Sequence, residues 1–261
     1  MRRRDTGVRP IAVTQLAAAQ MAVAAALLAA LAGCSTGVSS SAAAKATTAP
    51  VSAIRHASPS ASKSLTPTPT PTPTPKPKPS ALPVGPANAG VLTQTSALPK
   101  TSSTAFNNAV HDLWLAVATG DPAYARPAFF PEKAYEQVKA IADPESDWQG
   151  RLWYDFTLDL AAVHKLVKPG ATFVKVTAPT QYEQWIPSGA CYNSSGYWHL
   201  PGSRLVYREG GVTHSFGIAS FISWRGDWYL IHLGALVRAG AYGIVDDPET
   251  GEGFPGAPGG C

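Results

Sequence analysis

The chain has 261 residues, a formal charge of +4 and a pI near 9.0. The charge is unevenly shared: residues 1–34 carry a net +3, residues 35–103 a net +6 with no acid, and residues 104–261 a net −5. The acidic C-terminal part excludes the basic footprint of a nucleic-acid-binding domain, and it alone holds all seven Trp, nine Tyr and eight Phe needed for an aromatic core.

At the N-terminus, Arg2, Arg3, Arg4 and Arg9 precede an Ala-rich apolar run. Its strongly apolar part, residues 21–32, is shorter than the roughly 20 residues that span a bilayer. A basic start, a short apolar run and a small-residue site read as a removed signal segment. Leu31-Ala32-Gly33-Cys34 closes it. The whole resembles a bacterial lipoprotein signal peptide ending in a lipobox. That resemblance implies cleavage after Gly33, a diacylglycerol on Cys34, and a lipid-anchored position on the outer face of the cytoplasmic membrane. Two acyl chains anchor far more firmly than one.

Residues 34–103 read as a disordered linker of Ser, Ala, Thr and Pro, with five Thr-Pro repeats over residues 66–75. Proline fixes φ, so this stretch favours polyproline II and acts as a stalk. Its Thr and Ser are candidates for O-linked sugar.

Residues 104–236 are expected to form one domain, followed by a Gly/Pro-rich tail over 237–261. The front half reads helical. Ser102 or Ser103 caps a helix carrying Phe106, Val110, Leu113, Trp114 and Val117, ended by Gly120. Asp121-Pro122 and Pro131-Glu132 look like helix starts, the second leading to Ala134, Val138 and Ile141. A longer helix places Leu152, Phe156, Leu160, Val163 and Val167 on one stripe and stops at Pro169-Gly170.

The back half reads as antiparallel sheet. Residues 172–178 alternate. A Gly210-Gly211 turn pairs Tyr207 with His214 and Leu205 with Phe216. A Gly226-Asp227 turn pairs Trp224 with Tyr229 and Ile222 with Ile231. Both hairpins then share one apolar face. The opposite face, with Trp228, Leu230 and His232, is mixed. Helices followed by a meandering sheet predict an α+β fold with N-terminal helices packed on one face of a curved antiparallel sheet. This order resembles the NTF2-like or cystatin-like group, whose members often hold a small-molecule pocket between helices and sheet. Phrases around residues 116–131 and 220–234 also resemble uncharacterised exported actinobacterial proteins.

Candidate chemistry is sparse. Tyr207 and His214, as a cross-strand pair, could serve as orienting hydroxyl and proton carrier. Trp185, Tyr192, Tyr197, Trp198 and His199 cluster in a loop-rich region and form the best candidate ligand-contact surface. Asp155 and Asp159 share a helix face and read as solvated. Cys191 lacks the preceding His and following Arg of cross-linking Cys-His enzymes. A Cys191–Cys261 disulfide is permitted outside the membrane. The His spacing predicts no metal, and no cofactor is expected. The favoured reading is a surface lipoprotein whose domain binds an envelope component, such as cell-wall glycan, a small ligand or another protein. The alternatives are a pocket hydrolase or isomerase using His214, and a structural module dimerising through its sheet.

Overall fold

The computed structural model describes residues 78–234 and 238–256. The signal-like segment, Cys34, the Thr-Pro repeats and Cys261 lie outside the described residues. Among the described residues no helix is long and apolar enough to cross a membrane.

The first helix, α1 (Thr104–Thr119), starts where Ser103 Oγ accepts a bond from Phe106 N at 3.1 Å. It ends at Gly120, whose φ of 72° suits a residue without Cβ. Phe106, Val110, Leu113 and Val117 are buried, as the spacing requires. Asp121 caps a short 3-10 turn, and Pro131 precedes α2 (Glu132–Val138). Asp143 caps α3 (Pro144–Asp147), which continues through a π-helical turn (Trp148–Trp153) into α4 (Tyr154–Leu166). The wider turn aligns residues five apart. Trp148 and Trp153 accordingly stack at 6.0 Å with planes 4° apart, and the Arg126 guanidinium sits 4.3 and 4.7 Å from their rings.

Six antiparallel strands follow: β1 (Thr172–Thr177), β2 (Gln184–Ile186), β3 (Tyr197–Glu209), β4 (Val212–Trp224), β5 (Asp227–His232) and β6 (Glu249–Thr250). The order is β1-β3-β4-β5, with β2 also on β3 and β6 also on β4. The fold is α+β. The β3–β4 register is the one the Gly210-Gly211 turn predicts: Tyr207 faces His214 and Leu205 faces Phe216. The β4–β5 register differs. Its turn residues are Arg225 and Gly226, both at positive φ, so Trp224 faces Asp227 and Ile222 faces Tyr229. Two consecutive left-handed residues match the twist of the flanking strands. Further along, Phe221 faces Leu230 but Ser220 faces His232, so Ile231 is an extra residue in β5. This β-bulge breaks the alternation and swings His232 to the side of Ser220. The expected placement of His232 on the opposite, mixed face is thereby corrected.

That mixed face is not open. Trp228 and Leu230 have no exposed surface. The segment before α2 runs along β5, with Phe130 N bonded to Leu230 O and Leu230 N to Ala128 O, both at 2.8 Å. This contact covers the sheet edge. Phe106 packs on Phe221, and Trp114 packs on Tyr207.

The folded part is also longer than 104–236. Before α1, Val84 and Ala89 are buried, Trp224 Nε1 donates to Ala89 O at 2.7 Å, and Tyr229 OH donates to Val84 O at 2.9 Å. Gln94 bonds Ser223 O and Arg225 N. Beyond residue 236, Arg238 clamps Asp159, and Arg204 holds Asp247 and the Phe254 carbonyl. Both flanks lack a strong apolar pattern because they dock largely through backbone carbonyls and single charged side chains. Composition is blind to such contacts.

Candidate functional site

A cavity of about 300 Å³ opens between α2, the π-helical turn, the loop around Cys191 and strands β3–β5. Strand alternation aims Tyr197 and His199 of β3 and Ser220 and Ile222 of β4 into it. The bulge adds Ile231 and His232 together, which a regular strand would send to opposite sides. Tyr135, Val138 and Lys139 come from α2 and its C-terminus, and Arg151 and Leu152 from the π-helical turn. Such a turn is a recurrent feature of functional sites.

The polar groups form two sets. On the sheet, His199 Nε2 and Ser220 Oγ are 2.6 Å apart, and Ser220 is cross-strand neighbour to His232. His199 is 7% exposed, and its Nδ1 has no partner among the described residues. Burial lowers the His199 pKa to about 4. Burial, reinforced by Arg151 and Arg238, lowers that of His232 to about 3. Both rings are neutral hydrogen-bonding groups at pH 7. On the helical side, Asp147 accepts from Arg151 Nε at 2.7 Å and from Tyr135 OH. The Arg151 bond holds the Asp147 carboxyl below its usual range. Lys139 Nζ donates to Cys191 O at 3.0 Å, and its pKa is lowered by burial and then by Arg151.

The loop wall is held in an uncommon conformation. Cys191 and Tyr192 have φ of 52° and 58°, a region that costs a non-glycine residue of order 1 kcal/mol or more. Ala140 N bonds Tyr192 O, and Ser194 N bonds Val138 O, which ties the loop to α2. Cys191 is disulfide-bonded, and its expected partner Cys261 lies outside the described residues.

Of the five aromatic-loop candidates, Tyr192, Tyr197 and His199 line the cavity. Trp185 and Trp198 do not. They pack edge-to-face at 5.6 Å, and Trp198 Nε1 donates to Ser96 O. The region is not a loop throughout, because β3 begins at Tyr197, and alternation separates Trp198 from its neighbours. Tyr207 and His214 stack on each other at 5.5 Å but do not line the cavity, and His214 pairs with Thr250 of β6. Asp159 is buried rather than solvated. Ser220, His232, Lys139 and Arg151 carried no sequence signal: the bulge and the π-helical turn that bring His232 and Arg151 leave no local pattern, and Ser220 and Lys139 meet them only through tertiary packing. The carboxylates of Glu132, Glu136 and Glu145 also lie together, with Arg126, Lys133 and Gln149 as partners.

The neutral histidines give a pH signature. Their ordinary value is 6.5, and the folded values lie below it, so between these values the unfolded chain binds more protons. Their contribution is complete above about pH 6.5 and is lost as pH falls toward 4. Glu183, Asp227 and Asp246, raised by burial, act in the opposite direction at lower pH. Urea unfolding midpoints are expected to fall between pH 6.5 and 5. In His199→Gln, which keeps a bonding group without titrating, the fall is expected to be shallower. An equally steep fall would remove His199 from this account.

Comparison with protein-family models, with curated proteins and with solved structures finds no match for this chain.

Proposed function

We propose that this is a lipid-anchored protein of the outer face of the cytoplasmic membrane whose domain binds a small ligand in the cavity between α2 and the sheet. One observation carries the binding reading: a cavity of about 300 Å³ with apolar walls and a few converging polar groups, the usual make-up of a ligand site. The anchoring part rests on the resemblance of residues 1–34 to a lipoprotein signal. The helix-then-sheet order with a pocket between helix and sheet supports the NTF2-like or cystatin-like likeness.

Binding is favoured over catalysis on physical grounds. A general base works best with a pKa near the operating pH. His199 and His232, held near 4 and 3, are poor proton acceptors at neutral pH. His214, the histidine of the enzyme alternative, does not line the cavity. Contact with wall glycan is a second reading, favoured by the 78% exposure of Tyr192 at the cavity.

Native mass spectrometry of the secreted, mature chain tests the proposal. The expected result is an excess mass that disappears on denaturation and is absent from Ile222→Trp, whose larger side chain fills the cavity. An excess mass that persists in a folded Ile222→Trp protein would move the ligand elsewhere. A clean apo protein that also ignores small probes would overturn the reading.

A further inference from the structure

The cavity has a charge imbalance that narrows its ligand. Two cations line it, Lys139 and Arg151. No carboxylate lines it; Asp147 is engaged by Arg151 Nε and Nη2 and by the Tyr135 hydroxyl, Asp155 adds a weaker pull on Arg151, and among the described residues no carboxylate bonds Lys139. Lys139 is half-buried and uses one bond, to Cys191 O. An ammonium carries three donors, so it can take a further acceptor. The Asp147 pair occupies Arg151 Nε and Nη2, not Nη1. The other cation near His232 is Arg238, itself neutralised by Asp155 and Asp159. The remaining cavity surface offers apolar walls, among them Val138, Leu152, Ile222 and Ile231, and the neutral His199, Ser220 and His232. An uncompensated positive charge beside apolar walls is costly to bury unless it is paired.

From this arrangement, which rests on the ligand-binding reading above, we infer that the cavity takes a small monoanion: a carboxylate on a short apolar body, its head at Lys139 and Arg151 and its body against Val138, Leu152, Ile222 and Ile231. A cationic ligand would meet two like charges. A neutral one would leave Lys139 without a bonded counter-charge. A polyanion would lack further cations to meet it. The neutral histidines fit the same picture, since they bond a polar substituent without adding charge.

The test uses the mature chain and three probes of matched size: hexanoate, hexanamide and hexylammonium, followed by saturation-transfer NMR with competition titrations. Hexanoate is expected to bind at least tenfold more tightly than hexanamide, and hexylammonium not to bind. Lys139→Met is expected to weaken hexanoate about tenfold and leave hexanamide unchanged. Asp147→Asn, which removes the neutralising charge beside Arg151, is expected to strengthen hexanoate severalfold. A merely structural role for either residue would weaken all probes together, and thermal unfolding of each variant identifies a lost fold. Equal binding of hexanoate and hexanamide would overturn the anion inference and leave the cavity reading standing. Silence from all three probes would overturn both.

Discussion

Replacing Asp159 by alanine is expected to destabilise the domain by about 3–5 kcal/mol, the largest loss from any single substitution considered. The carboxylate is 1% exposed. It accepts from Gly234 N at 3.0 Å, from Ile244 N at 2.8 Å, and from both Nη atoms of Arg238 at 3.0 Å. Four bonds therefore converge on one buried side chain. Its removal leaves two backbone N–H groups unpaired and takes from the Arg238 guanidinium its nearest carboxylate, the next being Asp155 at 3.5 Å. Leaving buried donors unmet costs about 1–3 kcal/mol each. For a domain of this size, the thermal midpoint should fall by roughly 10 °C or more. The same change should open residues 238–244 to protease, because Asp159 holds both Arg238 and Ile244 N, whereas β6 and the Arg204–Asp247 pair keep the later residues docked. Asp155→Ala, which loses only the longer contact, is expected to cost far less. A stability of Asp159→Ala within 1 kcal/mol of the wild type would show that the tail clamp contributes little.

A chain beginning at Thr104 is expected to fail to fold, whereas one beginning at Lys78 folds like the full mature chain. Composition places the domain start at 104, yet the segment before it closes part of the core. Trp224 has no exposed surface and donates to Ala89 O, and Tyr229 is 1% exposed and donates to Val84 O. Removing the segment uncovers both rings and deprives their donors of acceptors. The Arg225 turn would also lose Gln94, which accepts from Arg225 N and donates to Ser223 O. Leu82 N, which donates to the buried Asp112 carboxylate at 2.8 Å, goes as well. Two exposed aromatics at about 25 cal/mol per Å², with several lost bonds, together exceed the margin by which small domains are stable. Circular dichroism and urea unfolding decide the matter. A cooperative, near-native transition for the shorter chain would restore the boundary at 104.

Several elements were legible because their determinants are local. Ser103 and Gly120 bracket α1 through a capping hydroxyl and a left-handed glycine, and both act within one helical turn. Phe156, Leu160 and Val163 of α4 follow from helical periodicity alone, and each is buried. Gly210-Gly211 fixes the β3–β4 register because few other residues tolerate that turn. Turn chemistry was ambiguous one hairpin later, where Arg225 accepts positive φ beside Gly226. The resulting slip moves the pairing by two residues and so preserves the faces.

The candidate site belongs to the other class. Tyr197 and His199 were named for their aromatic surroundings, but the sequence alone could not separate them from Trp185 and Trp198. Only pairing with β4 decides which side each residue takes. His232 reaches Ser220 because β5 carries one extra residue opposite β4, an event that no propensity announces. Arg151 and Leu152 reach the cavity through a π-helical turn inside an otherwise regular helical pattern.

By itself the sequence determined the α+β order, the helix caps, one hairpin register and the partition between an aromatic part and a proline-rich N-terminal part. These depend on short-range sterics and on the sum of apolar residues. The tertiary structure decided that residues before 104 and after 237 pack on the domain, that Asp159 is a buried clamp, and which histidines share a cavity with Lys139 and Arg151. Those outcomes depend on pairs of groups tens of residues apart, whose energies exist only once the chain has brought them together.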